Sequence, residues 1–303
     1  MANTIDINTP EDNLSPVSIF FTKFKKFFRE WPLFPGVILF ILILCALFAP
    51  FIAPHNERYG DLRAPNTPPA WVDGGESKYI LGTDNLGRDI LSRLIYGARI
   101  SLVVAAVVLG TGAVGGTIMG LISGYFGGQI DELLMRFVDF TLAVPFILIA
   151  LAVIMVFGQS LTIIVVLLAI TSWGGFARQV RAEALSIRTL DYIALAQVAG
   201  ANSLRIMYKH VLPGVINTII VVATLRVGTL ILTESILSFL GVGVPPPTPA
   251  WGIMVSDGRS YLDTAWWIAF FPGMAIFLTV LAFNFLGDWF RDRFDPRLRQ
   301  LIQ

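Results

Sequence analysis

The residues that could take part in chemistry are few, and the most unusual are two charged residues inside an apolar stretch. Arg226 and Glu234 both lie within residues 214–242. An ionised side chain is costly inside a membrane span, so such residues mark a polar pathway, a subunit interface or a fixed packing contact. Eight residues place them about 80° apart around a helix, so they need not pair with each other. Pathway, interface and packing roles all stay open for both.

Patterns for catalysis and metal binding are missing from the sequence. The chain has two histidines, His55 and His210, one cysteine, Cys45, and no HExxH motif. No convincing grouping of Ser, His and Asp occurs. No GxxxxGK[ST] motif is present either, so we do not expect this chain to bind ATP phosphates. The sequence predicts a non-catalytic protein without a metal or cofactor of its own.

Composition indicates a membrane protein. Of 303 residues, 55% are hydrophobic and only 14% are charged, whereas a soluble domain carries about 25% charged residues. The formal net charge is +1. No strong positive field is therefore available to attract nucleic acid.

Six stretches are long enough to cross a bilayer, which takes roughly 20 mostly apolar residues. They predict an all-α membrane protein with six transmembrane helices. A turn at Gly158–Ser160 should join the third and fourth helices as an antiparallel pair, and the fourth is expected to end near Gly174–Gly175. The predicted spans are 33–54, 100–124, 137–157, 161–177, 214–242 and 265–287.

The distribution of Lys and Arg predicts the orientation. With the N-terminus in the cytoplasm, most of these residues fall on the cytoplasmic side, as the positive-inside rule requires. Both termini are then cytoplasmic. The predicted cytoplasmic segments are 1–32, a hairpin at 178–213 and a tail at 288–303, and the predicted external segments are 55–99 and 243–264.

A mostly polar stretch from Asp191 to Pro213 stands between long apolar runs. Gly200 can end one short helix, and Asn202 can cap a second. Pro213 is tolerated in the first turn of the next span. A helix–glycine–helix hairpin between two spans needs support from outside the membrane, so we interpret it as a docking surface for a partner protein.

Glycines recur in the second span. Gly110, Gly112 and Gly115 match the dinucleotide pattern GxGxxG, but the strand that this motif requires is missing, so the match carries no function. Gly112, Gly116, Gly120 and Gly124 recur every four residues, which predicts close packing against another helix. The sequence does not identify that helix.

The stretch LGTDNLGRDILSRLIYGARISL, residues 81–102, reads as a turn followed by an amphipathic segment. Asp84 is a candidate cap for that turn or for the helix after it. Its charged residues are expected among the lipid headgroups. These are Arg88, Asp89, Arg93 and Arg99.

Three stretches together resemble the inner-membrane permease subunits of ABC importers for dipeptides and oligopeptides, the DppC/OppC type. They are 81–102, 191–213, and PPPTPAWGIMVSDG at 245–258 with the tail 271–296. In the first, the matching residues are Gly82, Thr83, Asp84, Gly87, Arg88 and Asp89. In the second, Gly200 and Pro213 match, but the family's Glu-Ala-Ala is Ala194-Leu195-Ala196.

The resemblance implies a type I ABC importer permease fold, with its permease domain at 98–287. It implies a heterodimer with a homologous permease, two ATPase subunits that carry ATP and Mg, and an external substrate-binding protein, in a bacterial inner membrane. Coupling to the ATPase would use Asp191, Ala194, Ala196, Gly200, Arg205, Lys209 and Pro213. Related solutes include nickel complexes and glutathione, and the remote alternative is a stand-alone secondary transporter or channel.

Overall fold

The computed structural model describes residues 32–294, and this part of the chain is helical apart from its loops. The predicted N-terminal segment, except residue 32, and residues 295–303 of the predicted tail lie outside it. One isolated bridge joins Thr83 to Asp89. The α-helices are α1 (Leu33–Ile52), α2 (Ile90–Phe126), α3 (Gly128–Ala143), α4 (Phe146–Phe157), α5 (Leu161–Arg188), α6 (Asp191–Val198), α7 (Ser203–Ile206), α8 (Leu212–Phe239), α9 (Trp251–Gly258) and α10 (Trp267–Phe294).

The helices that could cross a membrane agree in number with the prediction of six if one bent pair is counted as a span. In the described part, α1, α2, α5, α10 and the continuous stretch Ser203–Phe239 are each long and apolar enough. The sixth is a broken pair, α3 and α4, bent by 71°. Proline disfavours helical backbone at the residue before it, and Val144, which precedes Pro145, is extended. The predicted single helix at 137–157 is therefore wrong.

Two helices are longer than hydropathy predicts. α2 begins at Ile90 rather than at residue 100, because the Asp89 side chain accepts a hydrogen bond from Ser92 N and caps it. α5 continues through Gly174–Gly175 to Arg188, so the predicted end near residue 177 is wrong. The turn before α5 is confirmed, since Gly158 has φ +79° and the Ser160 side chain caps α5.

The glycine repeat of α2 packs against α5, which confirms packing and identifies the partner helix. A Cβ at Gly116 would lie 2.5 Å from Phe176 Cβ and would also overlap the Trp173 carbonyl oxygen. At Gly120 it would lie 2.7 Å from the Ala177 carbonyl oxygen, and at Gly124 2.7 Å from Ala184 Cβ. At Gly112 it would overlap the Ser172 hydroxyl. Neighbouring backbones can approach this closely only where no side chain intervenes.

The two ends of the helical bundle are built differently. At one end, residues 53–89, α9 and the start of α10 pack together, and Trp267 Nε1 donates a hydrogen bond to the Thr83 carbonyl oxygen. Trp251 Nε1 donates to the Leu94 carbonyl oxygen, which fixes α9 on α2. At the other end, α6, α7 and a π-helical turn, Met207–Val211, pack on the ends of α2 and α5.

Candidate functional site

The hairpin of α6 and α7 has the helix–glycine–helix conformation that the sequence predicts. Gly200 adopts φ +82°, its N–H bonds to the Gln197 carbonyl oxygen, and Ala201 N–H bonds to that of Ala196. This pair of bonds is the Schellman motif, which ends a helix at a left-handed residue. Asn202 then caps α7, because its side chain accepts a hydrogen bond of 2.8 Å from Arg205 N.

Two buried isoleucines hold the hairpin to the membrane helices. Ile193 of α6 is 0% exposed and Ile206 of α7 is 1% exposed. Both belong to one apolar cluster with Tyr125 of α2, and with Val180 and Ala184 of α5. The hairpin is therefore positioned by α2 and α5, and its placement depends on how those helices pack.

The opposite face of the hairpin is apolar and open. Leu195 is 68% exposed, Val198 88%, Leu204 72% and Tyr208 72%. Four large apolar side chains this close together form an exposed patch of the kind that marks a protein–protein contact. The prediction assigned a role to none of them, because hydropathy does not show which face of so short a helix is covered.

The predicted coupling residues belong to the same hairpin as this patch. Ala196 is half-buried, and the others are exposed, with Gly200 facing open space. Pro213 follows the π-helical turn, in which Leu212 N–H bonds to the Met207 carbonyl oxygen. The exposed residues are Asp191, Ala194, Gly200, Arg205, Lys209 and Pro213. Their roles in coupling remain predictions.

At the other end of the molecule, residues 82–89 form a tightly bonded turn. Thr83 Oγ1 donates to the Ala64 carbonyl oxygen at 2.6 Å. Asp84 Oδ1 accepts from Leu86 N and Arg88 N, each at 2.9 Å, so Asp84 caps the turn and Asp89 caps α2. Gly82 and Gly87 have positive φ, and a Cβ on Gly87 would overlap the Asp61 carbonyl.

The charged side chains of this turn are buried, so the prediction that Arg88, Asp89 and Arg93 lie among lipid headgroups is wrong; only Arg99 is exposed. Arg93 is 2% and Arg88 7% exposed. Arg88 Nε bonds to Asp84 Oδ2 at 2.6 Å, and Arg93 Nε lies 3.6 Å from the same atom.

Asp257 of α9 completes this charge cluster from a distant part of the sequence. Its Oδ2 lies 3.5 Å from Arg88 Nη2 and 4.0 Å from Arg93 Nη2. Burial raises the pKa of the Asp257 carboxyl, and the two arginines act in the opposite direction. Arg88, Arg93 and Asp257 also line a cavity of about 140 Å³. The cluster binds the turn, α2 and α9 together.

The two ionisable residues of α8 do not contact each other. Glu234 is 1% exposed, and its Oε1 accepts a hydrogen bond of 2.7 Å from Ser238 Oγ. Arg226 is half-buried, and its Cζ lies 5.5 Å from the centre of the Phe176 ring. Glu234 is thus enclosed by its own chain, whereas Arg226 keeps part of its surface free.

Comparison with known proteins agrees with this architecture. The family described as binding-protein-dependent transport system inner membrane component matches residues 116–300. The N-terminal TM domain of oligopeptide transport permease C matches residues 33–69. A crystal structure of an amino acid ABC transporter with histidines has a TM-score of 0.52 at 19% identity, covering 66% of this chain and 94% of its own. That likeness shows the fold.

Curated relatives match almost the full chain. A di/tripeptide transport system permease protein of Pseudomonas aeruginosa (strain UCBPP-PA14) is 42% identical over 87% of this chain and 88% of its own. A dipeptide transport system permease protein of Escherichia coli (strain K12) is 42% identical over 95% of each. A glutathione transport system permease protein of Pectobacterium atrosepticum is 40% identical over 92% of each.

The candidate spans, the hairpin and the turn at 82–89 occur together in one chain, and the three relatives described above are permease subunits. The chain therefore belongs to the binding-protein-dependent transport system inner membrane components, as a multi-pass permease subunit of the DppC/OppC type.

Proposed function

We propose that this chain is the permease subunit of an ATP-driven importer that carries dipeptides and oligopeptides across a bacterial inner membrane. Relatives named for dipeptide transport at 38–42% identity support this substrate class. Glutathione, itself a small peptide, is the second candidate, because a permease named for it is 40% identical.

The observation that carries the proposal is the hairpin Asp191–Pro213. Its inner face is anchored by Ile193 and Ile206, and its outer face exposes Leu195, Val198, Leu204 and Tyr208. An element that is fixed on one side and apolar on the other can transmit movement from a partner to the helices beneath it. The partner we assign is an ATPase subunit, which would supply ATP and Mg.

The remaining subunits follow from the same assignment. A homologous permease would complete the pathway as a heterodimer, two ATPases would bind on the cytoplasmic side, and a substrate-binding protein would deliver solute from outside. The positive-inside rule supports this orientation, with both termini in the cytoplasm. Residues 53–89 and 240–266 would then face the binding protein.

Replacing Gly200 with tryptophan is expected to abolish association with the ATPase subunits. The φ of +82° disfavours any side chain, and the new ring would project from the docking surface, because a Cβ there meets nothing within 4 Å of its own chain. Copurification of the ATPases and ATP-driven uptake would measure the loss.

The matched control for this prediction is Gly241→Trp. Gly241 also ends a helix with positive φ, +77°, and also faces open space, but at the opposite end of α8. The Gly241→Trp variant should leave association with the ATPase subunits unchanged. Normal uptake and ATPase stimulation in Gly200→Trp would disprove the coupling assignment.

Reconstitution of the complete importer in liposomes tests the function itself. We expect uptake of dipeptides and tripeptides that requires both ATP and the loaded binding protein. Uptake of glutathione with rejection of ordinary dipeptides would favour the second candidate. Uptake by this chain alone, without ATP, would instead identify a stand-alone transporter.

A further inference from the structure

Arg226 occupies a position in α8 that is built to hold a guanidinium group. It lies halfway along the helix Leu212–Phe239. Its guanidinium crosses α5 at Gly175, where a Cβ would overlap Nη2. It also lies over the Phe176 ring, and an aromatic face attracts and orients a cation. Glycine and the ring together fix the group against α5.

This cation has no anionic partner among residues 32–294. No carboxylate oxygen of that part of the chain lies within 4.0 Å of Arg226, whereas Arg178 of α5 is paired with Asp139 at 2.6 Å. Glu234 stands about 12 Å farther along the helix axis and is bonded to Ser238. Because arginine stays protonated in proteins, Arg226 remains charged and uncompensated within a span.

The surroundings of Arg226 leave it accessible from outside its own chain. Residues 218–226 of α8 are all half-buried, so this part of the helix is only partly covered. An unpaired cation in a membrane span is costly unless it faces a polar pathway or an external anion. A guanidinium fork that is fixed and half-open suits two-point binding of a carboxylate.

We propose that Arg226 binds the carboxylate of the peptide during its passage through the permease. The inference rests on the proposed peptide import, and it adds a site for one end of the solute. Every peptide with a free C-terminus presents this group. The alternative anion is an acidic side chain of the sister permease. It would form a permanent ion pair with Arg226, and Arg226 would then take no part in solute selection.

A double-mutant cycle between protein and solute tests the proposal in the complete importer. Uptake of a dipeptide and of its C-terminal amide is measured at concentrations that saturate the binding protein with each. We expect the parent to move the free acid at least tenfold faster than the amide, and Arg226→Gln to bring that ratio close to one. Arg178→Gln, which removes a cation that is already paired, should keep the parent ratio.

Several results would overturn the assignment. Equal slowing of both solutes in Arg226→Gln, with the ratio kept, would place an acid of the sister subunit against Arg226. Unchanged uptake rates of both solutes in Arg226→Gln would show that Arg226 has no role in transport. If the Arg226→Gln complex does not assemble, Arg226→Lys is the second variant, because it keeps the positive charge but lacks the two-pronged guanidinium group. It must still lower the ratio of free-acid to amide uptake. Absence of ATP-dependent peptide uptake by the parent would instead refute the proposed function, and the peptide site with it.

Discussion

Gly116→Ala is expected to destabilise the folded permease by about 3 kcal/mol, although it adds only a methyl group. The new Cβ would lie 2.5 Å from Phe176 Cβ and 2.9 Å from Ala177 N, and would overlap the Trp173 carbonyl oxygen. Two of these are backbone atoms of α5 that no rotamer change can move. The helices would have to separate along the whole glycine repeat, and the hairpin packed on their ends would shift with them.

Gly110→Ala is the matched control in the same helix. Gly110 has nothing within 4 Å of an added Cβ, and alanine favours a helix by about 1 kcal/mol over glycine. This variant should be neutral or stabilising. Melting temperatures of the purified complex in detergent would compare the two, and equal values would mean that α2 and α5 do not form the close contact.

Asp84→Asn is expected to cost about 3–5 kcal/mol, the usual penalty for breaking a buried ion pair by removing one partner. The side chain keeps its shape, but Arg88 and Arg93 stay buried at 7% and 2% exposure. Among the described residues, the other carboxylate that lies within 4.0 Å of these guanidinium groups is Asp257, whose side chain is 35% exposed and 3.5 Å or more away. Arg93 Nη1 already lacks a hydrogen-bond partner within the described residues.

Asp61→Asn provides the control from the same segment. Asp61 pairs with Lys78 at 3.9 Å, and both side chains are about half exposed. Exposed pairs contribute about 0–1 kcal/mol, so little change is expected. Similar melting temperatures for both variants would show that the cluster around Asp84 does not hold the turn, α2 and α9 together.

The parts of the fold that depend on local chemistry could be predicted from the sequence. Gly200 and Asn202 determine the hairpin, because a left-handed C-terminus and an N-cap are properties of single residues. The number of spans follows from the length of apolar runs. The break at Val144–Pro145 could also be predicted, because a proline disfavours helical backbone at the residue before it.

The parts that depend on distant contacts could not be predicted. Hydropathy places the end of α5 near Gly174–Gly175, but the helix continues because the glycine repeat of α2 packs along it. Arg88 and Arg93 look like interfacial residues until Asp257, more than 150 positions away, is seen beside them. The exposed apolar face of the hairpin becomes visible only after Ile193 and Ile206 are known to point inward.

The length of α2 has a mechanical consequence. This single helix of 37 residues spans about 55 Å. Arg93 of the charge cluster lies in its first turn, and Tyr125, which packs against the hairpin, lies in its last turn. Because α5 packs directly against its glycines, we expect α2 to move as one rigid helix. A tilt of about 10° about one end would displace the other end by about 10 Å, so we expect the charge cluster and the hairpin to move together.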